Sequence, residues 1–343
     1  MLTLDQTDRR LLEILQEGLP IVAEPYREIA GKLDIPRHEV LERVAQLKER
    51  GLIRRLSGFF RSEKLGYRSV LCAVRVPEER IGRVSELLDA VPGVTHNYLR
   101  EHALNMWFTL IYREEAEAER VIRDIERSAE TNRVFRFERT RTFKIRAAFP
   151  FGETPHEIRT ASPSEKTSLE AAFSMGESRI NPDLIPLVRL LQEEFPLCER
   201  PFLVIAEKLG VSEQEAMNMT ATLRRDGQLK RIAAALYHTR VGFRVNSMVV
   251  WDVPEERLRA AADAVTPFPQ VTHCYARSRA PEFDYNFYTM VHETSEERFT
   301  ETLSEMESKI MPVKFCSLKT LRELKKTGMK YFMEEADKKG DCP

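Results

Sequence analysis

The stretch V-T-H-N-Y-L-R at residues 94–100 recurs as V-T-H-C-Y-A-R at residues 271–277. If each stretch is a β-strand, its His, Tyr and Arg side chains fall on one face, because side chains alternate between the two faces of a sheet. Along such a strand His96 and Arg100 are roughly 13 Å apart. An imidazole, a phenol and a guanidinium aligned over that length indicate a binding site for a large anionic ligand rather than an ordinary core strand.

The recurrence is part of a repeat that spans nearly the whole chain. Gly51 corresponds to Gly227 at an offset of 176, and after one inserted residue His96 corresponds to His273 at an offset of 177. The protein therefore consists of two copies of one unit of about 145 residues. The segment between them is rich in Pro, Ser and Thr, which predicts a linker long enough to let the copies meet face to face.

The pattern of each copy changes partway from helices to strands. Three amphipathic segments, of which the second and third are joined by a short turn, predict a helix-turn-helix followed by a β wing. The rest follows the order β-α-β-β-α-β, which is typical of a ferredoxin-like domain with both helices on one face of the sheet. We expect the open faces of the two sheets to cover each other.

The predicted fold class is thus α+β, a tandem repeat of a winged helix-turn-helix and a ferredoxin-like domain. The closing strands of the two sheets are predicted at 134–145 and 312–321. The predicted units are helix-turn-helix domains at 1–64 and 181–241, ferredoxin-like domains at 65–148 and 242–343, the second with a C-terminal tail, and a linker at 149–180.

Composition describes an ordinary folded protein and excludes several classes. The 343 residues carry 53 Lys and Arg against 54 Asp and Glu, so the net charge of −1 favours neither nucleic acid nor a membrane surface as a partner. No apolar run approaches the ~18 residues of a membrane span, and the first residues lack a signal-peptide pattern. Five cysteines without a C-x-x-C pair favour a reducing compartment, and the cytoplasm is the expected location.

Three common kinds of catalytic site find little support in the sequence. His96 and His102 lack the spacing of a compact zinc or iron site, so we expect no metal of the protein's own. No nucleophile elbow is present, and Cys274 is replaced by Asn97 in the other copy. No glycine-rich phosphate loop occurs among the 14 glycines. Anion recognition combined with proton transfer remains.

Cationic and aromatic side chains surround both His-Tyr-Arg strands. Guanidinium groups bind carboxylates through two parallel hydrogen bonds, and aromatic rings supply a flat wall. The set therefore predicts a site for a large, flat polycarboxylate, where a histidine near its ordinary pKa supplies a proton at neutral pH. The residues concerned are Tyr98, Arg100, His102, Trp107, Phe108, Arg136, Arg139, Arg141, Lys144, Tyr275, Arg277, Arg279, Tyr285 and Tyr288.

A helix-turn-helix followed by a ferredoxin-like domain resembles the leucine-responsive, or Lrp/AsnC (feast/famine), regulators. The alternative function is therefore a transcriptional regulator that binds DNA and a small effector. DNA affinity comes mostly from cations that neutralise phosphates, yet residues 181–240 contain eight Lys and Arg against eight Asp and Glu. The two predicted recognition helices, 36–51 and 212–227, also differ and could not read a palindrome symmetrically. The sequence therefore does not favour nucleic acid as a partner.

More specific motifs resemble the two subunits of siroheme decarboxylase fused in tandem. They are V-T-H-N-Y with N-x-W-F-T-L at 105–110, V-T-H-C-Y with Y-N at 285–286, and L-K-K-T-G-M-K-Y-F at 324–332. The resemblance implies an enzyme that removes the acetate carboxyls at ring positions 12 and 18 of siroheme. The product is 12,18-didecarboxysiroheme, in haem d1 or alternative haem biosynthesis, with no cofactor required beyond the iron tetrapyrrole substrate. It also implies an internal pseudo-heterodimer of the two copies, with a homodimer of the fused chain as a further option and no membrane partner.

The same resemblance assigns chemistry to the paired strands. Loss of CO2 from a pyrrole-linked acetate leaves a carbanion, for which the macrocycle is an electron sink, and the protein supplies a proton. We expect His96 and His273 to donate that proton or to orient the reacting acetates, with Tyr98 and Tyr275 assisting. The expected substrate-binding residues are Arg100, His102, Asn105, Trp107, Arg139, Arg141, Arg277, Arg279 and Asn286.

Three alternatives stay open at this level. A histidine could ligate the siroheme iron axially instead of donating a proton. The residues after the two strands differ, with R-E-H at 100–102 and R-S-R at 277–279, so the two pockets are not equivalent. Either one of them is active, or each takes a different acetate. A tetrapyrrole carrier, which binds the pigment without changing it, is a third functional class.

Overall fold

The computed structural model describes residues 4–131, 133–145, 180–236 and 245–333. All but the last residue of the predicted linker lies outside these ranges. The first copy contains α1 (Gln6–Glu17), α2 (Pro25–Leu33), α3 (Arg37–Glu49), β1 (Ile53–Phe60), β2 (Arg68–Val74), α4 (Ile81–Ala90), β3 (Val94–Arg100), β4 (Met106–Tyr112), α5 (Glu115–Ala129), β5 (Phe135–Phe137) and β6 (Arg139–Ile145). The second contains α6 (Ile185–Leu191), α7 (Pro201–Leu209), α8 (Glu213–Arg225), β7 (Leu229–Leu236), β8 (Val245–Asp252), α9 (Leu258–Val265), β9 (Val271–Arg277), β10 (Phe287–Glu293), α10 (Glu296–Ile310) and β11 (Lys314–Lys326).

The two helix-turn-helix units share one hydrophobic core rather than standing apart. Leu15 and Val44 of the first copy are buried in the same cluster as Leu187 and Leu223 of the second. The predicted wings also join, because β1 and β7 pair as a two-stranded antiparallel ribbon. The helical units therefore form a single layer with this ribbon on it.

The closing strand of each sheet crosses to the other copy. β5 pairs with β2 of its own copy, whereas β6, which follows after Glu138 alone, pairs with β9 of the second copy. β11 likewise pairs with β8 through residues 314–319 and with β3 of the first copy through residues 320–326. The predicted strand 134–145 is thus divided between two neighbours. The second closing strand runs beyond its predicted end at residue 321, because its last half pairs with the other copy.

These crossings produce one sheet of nine strands in the order β5-β2-β4-β3-β11-β8-β10-β9-β6. Its two halves pack face to face through an aromatic cluster. The Phe283 ring lies 5.2 Å from both Trp107 and Phe137, and Phe137 lies 6.2 Å from Tyr288, measured between ring centroids. The prediction that the open faces cover each other is confirmed.

The helices cover the outer faces of the sheet. Val84 of α4 and Ile125 of α5 are buried against the first half, and Leu258 of α9 and Met306 of α10 are buried against the second. The α+β class is therefore confirmed. Within the described ranges, the helices are all too short or too polar to cross a bilayer.

Candidate active site

A β-bulge precedes the histidine in each His-Tyr-Arg strand, where the pairing with the neighbouring strand shifts register. A bulge re-aims the side chains beside it. In β3 the Thr95 hydroxyl lies 3.0 Å from Nδ1 of His96, and in β9 the Thr272 hydroxyl lies 3.0 Å from Nδ1 of His273. The same local irregularity therefore gives each imidazole a hydroxyl partner that orients the ring.

The predicted row of side chains exists in both copies. In the first, the rings of His96 and Tyr98 are 6.3 Å apart and the Arg100 guanidinium lies 5.0 Å above the Tyr98 ring. In the second, the corresponding distances are 6.0 and 5.2 Å. Both rows lie on the face that turns toward the other half of the sheet, since Tyr98 pairs across the strands with Trp107 of the aromatic cluster.

The two arginines of these rows tie the crossed strands in place. Nη1 of Arg100 donates to the Leu318 carbonyl at 2.8 Å and to the Thr320 hydroxyl at 3.0 Å. Nη1 of Arg277 donates to the Phe137 carbonyl at 2.8 Å. Burial lowers the pKa of both guanidinium groups, that of Arg100 to about 10. Each arginine therefore packs against its tyrosine ring and anchors the crossed strand, with part of its hydrogen-bonding capacity already used.

The ribbon of β1 and β7 adds cations that the sequence analysis did not assign to the site. Arg54 and Arg55 of β1 correspond to Lys230 and Arg231 of β7 at the repeat offset of 176. The guanidinium groups of Arg55 and Arg231 lie 5.6 and 5.7 Å from the centroid of the Phe59 ring. The signal was present in the sequence as two cationic pairs at matching positions, but nothing local connects those pairs to the histidines.

Cations of this ribbon and Lys326 act on the two histidines: Lys326 pairs with His96 across the strands, and Nη1 of Arg54 donates to the Lys326 carbonyl at 3.3 Å. Burial, followed by the charges of Lys326 and Arg54, lowers the pKa of His96 to about 3, and the charge of His273 adds to this effect. Burial, followed by the charge of Lys230, lowers the pKa of His273 to about 4. Both side chains nevertheless keep an accessible part. We call the region around these five residues the central recess.

The low pKa values correct one expectation. We expected histidines near their ordinary pKa, but burial and neighbouring cations both disfavour the charged imidazole. In the free protein at neutral pH, His96 and His273 are therefore neutral. A proton donor must be created by whatever enters the central recess.

Two carboxylates lie beside the tyrosines, one in each copy. Glu323 of β11 interacts with the Tyr98 phenol and lies 3.5 Å from Nζ of Lys326. On the other side, Arg139 is ion-paired with Glu63 and lies 5.9 Å above the Tyr275 ring. Burial raises the pKa of both tyrosines, so the phenols stay protonated and act as hydrogen-bond donors.

Both predicted asparagines are held by backbone groups of their own copy. The Asn105 side chain accepts from the Val76 N–H at 2.9 Å and donates to its carbonyl at 2.8 Å. The Asn286 side chain does the same with Val253, at 3.0 and 2.8 Å. These matching amide clamps fix the start of β4 and of β10. The structure therefore does not bring the two amides into the central recess as free groups.

His102 and Trp107 also have internal partners. Nδ1 of His102 accepts from the Leu104 N–H at 2.9 Å, and Nε1 of Trp107 donates to the Leu104 carbonyl at 2.7 Å. Trp107 is 1% exposed within the aromatic cluster. These residues shape the β3–β4 hairpin and the packing between the sheet halves.

The last two predicted arginines face other parts of the surface. Arg141 lies 3.4 Å from Glu255, with about half of its side chain exposed. Arg279 pairs with Asp252 at 2.7 Å and donates to the Asp284 carbonyl. Of the five arginines predicted to bind substrate, the structure therefore brings Arg100, Arg139 and Arg277 to the tyrosines and leaves these two outside. No group of three or more His, Cys, Asp or Glu side chains within the described ranges is arranged to hold a metal ion.

Comparisons with known proteins agree with this architecture. A family model described as an AsnC-like ligand binding domain matches residues 64–144 and 240–325. A second, described as a siroheme decarboxylase NirDL-like helix-turn-helix domain, matches residues 8–54 and 186–229. Both models therefore match each copy once.

Individual proteins are similar over larger parts of the chain. Siroheme decarboxylase of Hydrogenobacter thermophilus is 32% identical over 330 residues, which are 96% of each chain. The siroheme decarboxylase alpha subunit of Desulfovibrio desulfuricans is 42% identical over 146 residues, 43% of this chain and 84% of that subunit. The crystal structure of siroheme decarboxylase NirDL in co-complex with an iron-uroporphyrin III analogue has a TM-score of 0.74 at 28% identity, covering 98% of this chain and 97% of that one. By this similarity along nearly its whole length, the protein belongs to the siroheme decarboxylase family.

Proposed function

We propose that this protein removes acetate carboxyl groups of siroheme in the central recess, at ring positions 12 and 18. The observation that carries the proposal is that cations act on both histidines and that one of these cations is shared: Lys326 pairs with His96 across the strands and also lowers the pKa of His273. Siroheme is flat and bears many carboxylates, so it complements the charges of Arg54, Lys230 and Lys326. The iron-uroporphyrin III analogue in the co-complex of the related NirDL is likewise an iron tetrapyrrole.

Substrate charge would switch the histidines on. In the free recess the cations hold both imidazoles neutral, but bound carboxylates offset that positive charge. A carboxylate within hydrogen-bonding distance favours the charged imidazole. The pKa of His96 and of His273 would rise toward the ordinary value as the substrate binds, and a proton would be taken up together with it. The acid is therefore formed only when a molecule that needs it is present.

The reaction consumes one proton for each CO2 released. The bond between the acetate methylene carbon and the carboxyl carbon breaks, and its electron pair moves onto the methylene carbon, delocalised into the macrocycle. The proton of the imidazolium then goes to that carbon, so the acetate becomes a methyl group. The phenols of Tyr98 and Tyr275 would hold the reacting carboxylates by hydrogen bonds. The macrocycle is the electron sink, so this chemistry uses no separate cofactor.

The carboxylates that stay on the ring require their own partners. Lys230 of the ribbon and Lys326 of β11 are assigned to these carboxylates, because burial lowers the pKa of each ammonium group and a bound carboxylate would compensate that cost. We assign Arg54, Arg55 and Arg139 to the same role. Arg100 and Arg277 pack against the tyrosine rings and anchor the crossed strands. This assignment replaces Asn105, Asn286, His102, Trp107, Arg141 and Arg279 of the sequence analysis.

The assembly and location are also part of the proposal. Each half of the central recess contains a strand from both copies, so the internal pseudo-heterodimer builds the site within one chain, and a homodimer of the fused chain would add a second site. The described cysteines are free, which suits a reducing compartment such as the cytoplasm.

A DNA-binding regulator is the second candidate, and the charges of α3 count against it. Phosphate contacts need cations that are available to the backbone of DNA. The cations of this helix and its C-terminal end are instead ion-paired within the protein. The pairs are Arg37 with Glu24 and Glu199, Arg43 with Asp5, Asp8 and Glu39, Lys48 with Glu194, and Arg50 with Asp8.

Anaerobic incubation with siroheme, followed by mass spectrometry of the pigment, tests the proposal. The expected result is loss of two CO2 per siroheme, with a Soret-type band on binding. Binding with unchanged pigment mass would identify a carrier instead. A retarded DNA fragment with steep salt dependence, and no effect on siroheme, would identify a regulator.

A further inference from the structure

In the second copy, a chain of hydrogen bonds connects His273 to another histidine. Nδ1 of His273 lies 3.0 Å from the Thr272 hydroxyl, and that hydroxyl lies 3.1 Å from Nε2 of His292. His292 is 8% exposed, near the end of β10. A hydroxyl joined to two imidazoles couples them, because its single proton is donated to only one of them at a time.

The first copy lacks the last member of this chain. Asn105 and Asn286 make the same clamp, and the residues six positions later are Ile111 and His292. Their backbones are also equivalent, since the Ile111 N–H donates to the carbonyl of residue 93 at 2.8 Å and the His292 N–H to that of residue 270 at 3.0 Å. An isoleucine side chain has no hydrogen-bonding group. His96 therefore has its threonine but no second imidazole.

The chain has a direction when His273 is protonated. Its Nδ1–H then donates to the Thr272 oxygen, which leaves the hydroxyl proton free to donate to Nε2 of His292. Successive hydrogen bonds polarise one another, so an acceptor at the far end strengthens the bond that holds the charged ring. The arrangement favours protonated His273, and because Thr272 engages Nδ1, the Nε2–H is the ring donor left for a substrate.

Two uncharged side chains and one carboxylate are neighbours of His292 along the sheet. Asn246 lies opposite on β8, and Gln270 precedes β9; both are uncharged. Glu293 follows on the other face of the strand, where its carboxylate accepts from the Thr302 hydroxyl at 2.9 Å. The cations that act on His273 are Lys144, Lys230 and Lys326.

We propose that His292 is a positioning residue for His273, acting through Thr272, and that it makes the second copy the better proton donor of the two. This inference rests on the proposed decarboxylation, in which His273 touches the substrate and His292 does not. It predicts that losing His292 slows proton delivery without weakening siroheme binding.

Nitrogen NMR of the resting full-length chain tests the coupling without any substrate. The comparison is between wild-type protein and the His292→Ile variant, both labelled in the imidazole nitrogens. The substitution introduces the residue found at the equivalent position of the first copy. The His273→Gln variant assigns the signals. The expected result is a change in both ring-nitrogen shifts of His273, from one tautomer toward a mixture. Unchanged shifts overturn the proposal. His292→Asn keeps a hydrogen-bonding group and serves if the isoleucine variant fails to fold.

Kinetics with siroheme then measures the consequence. His292→Ile is expected to lower kcat about tenfold with KM unchanged, since the protonated fraction of a histidine above its pKa falls tenfold for each unit of pKa lost. The fall of kcat with rising pH should move to lower pH, and His292→Asn should recover part of the loss. Equal kcat and pH profiles in wild type and His292→Ile contradict the inference. If the wild-type protein leaves siroheme unchanged, the proposed function fails, whereas the NMR result still decides the coupling.

Discussion

The two halves of the central recess share a backbone and differ in the side chains beside it. Tyr98 faces Glu323 of the crossing strand, whereas Thr142 stands at that register opposite Tyr275. On the second side a cation, Arg139, lies above the Tyr275 ring instead. The Tyr98 phenol therefore interacts with a carboxylate directly, whereas Glu63, the carboxylate on the Tyr275 side, is ion-paired with Arg139.

This difference shows how a duplicated fold can treat two similar groups differently. The bulges, the threonine–histidine bonds and the amide clamps are repeated, so geometry is common to both halves. Charge and the extent of the hydrogen-bond network are not. Because two acetates of siroheme are chemically alike, unequal surroundings are what would distinguish the step that occurs first from the step that follows.

The largest expected difference from the wild type comes from removing His96 or His273. His96→Ala and His273→Ala should each lower siroheme turnover at least ~100-fold, because proton delivery by a positioned acid is lost. If the halves act on different acetates, each variant should accumulate a monodecarboxylated pigment, and the two pigments should be isomers. Chromatography with mass spectrometry of the products measures this.

His38→Ala is a matched control, since His38 is an exposed residue of α3. Its turnover should equal that of the wild type. Near wild-type rates for both recess variants would remove the histidines from the mechanism. The same isomer from both variants would instead mean that the two histidines serve one acetate.

Two lysines affect the pKa values of the histidines to different extents in the two halves. Lys326 lowers the pKa of both histidines, whereas Lys230 acts on His273. Lys326→Met should therefore raise both pKa values in the free protein, and Lys230→Met mainly that of His273. Each variant should also bind siroheme about tenfold more weakly, the loss expected for one charged hydrogen bond.

Histidine titration by NMR and anaerobic binding measurements check these expectations. Lys32→Met, at an exposed position of α2, controls for the change of net charge. The assignment of Lys230 to the second half fails if Lys230→Met shifts His96 as much as His273.

The sequence predicted those features of the site that depend on local pattern. A period of two placed His96, Tyr98 and Arg100 on one face, and the repeat offset gave the second row. The alternation of helices and strands also gave the ferredoxin-like order. These outcomes follow because strand alternation and amphipathic periodicity are set by neighbouring residues.

The missed features depend on contacts between distant segments. Arg54 and Lys230 reach the histidines from a ribbon in the other layer, and periodicity carries no information about such an approach. For the same reason the histidine pKa values could not be anticipated. The sequence analysis assigned Asn105 and Asn286 to substrate binding, because their backbone partners, Val76 and Val253, are distant in the sequence.

The amide clamps offer a comparison in which the halves should differ only in degree. Asn286→Ala leaves the buried N–H and carbonyl of Val253 without their partners and should cost about 2 kcal/mol of unfolding free energy. Asn105 is half-buried while Asn286 is 5% exposed, so Asn105→Ala should cost less, about 1 kcal/mol. Denaturant unfolding measures both. Siroheme KM should stay at the wild-type value, and a raised KM in either variant would return that amide to the binding site.

The smallest expected effect is the dependence of stability on acid. The folded-state pKa values of His96 and His273, about 3 and about 4, lie below the ordinary 6.5. Between these limits the unfolded chain binds more protons than the folded one, so stability is full above pH 6.5 and falls as the pH drops. With allowance for solvent screening of the accessible parts, the two residues should together cost about 1–2 kcal/mol by pH 5.

The double variant His96→Gln/His273→Gln isolates this contribution from that of the carboxylates, which titrate in the same range. Its free energy of unfolding, measured with denaturant from pH 7.5 to pH 4, should fall less steeply than that of the wild type. The single variants then separate the halves. Below about pH 4 the folded protein begins to protonate His273, so the penalty from His273 levels off while that from His96 continues to grow. Parallel curves for wild type and double variant would mean that both histidines titrate normally in the folded protein, and the cations of the central recess would then lie too far away to control them.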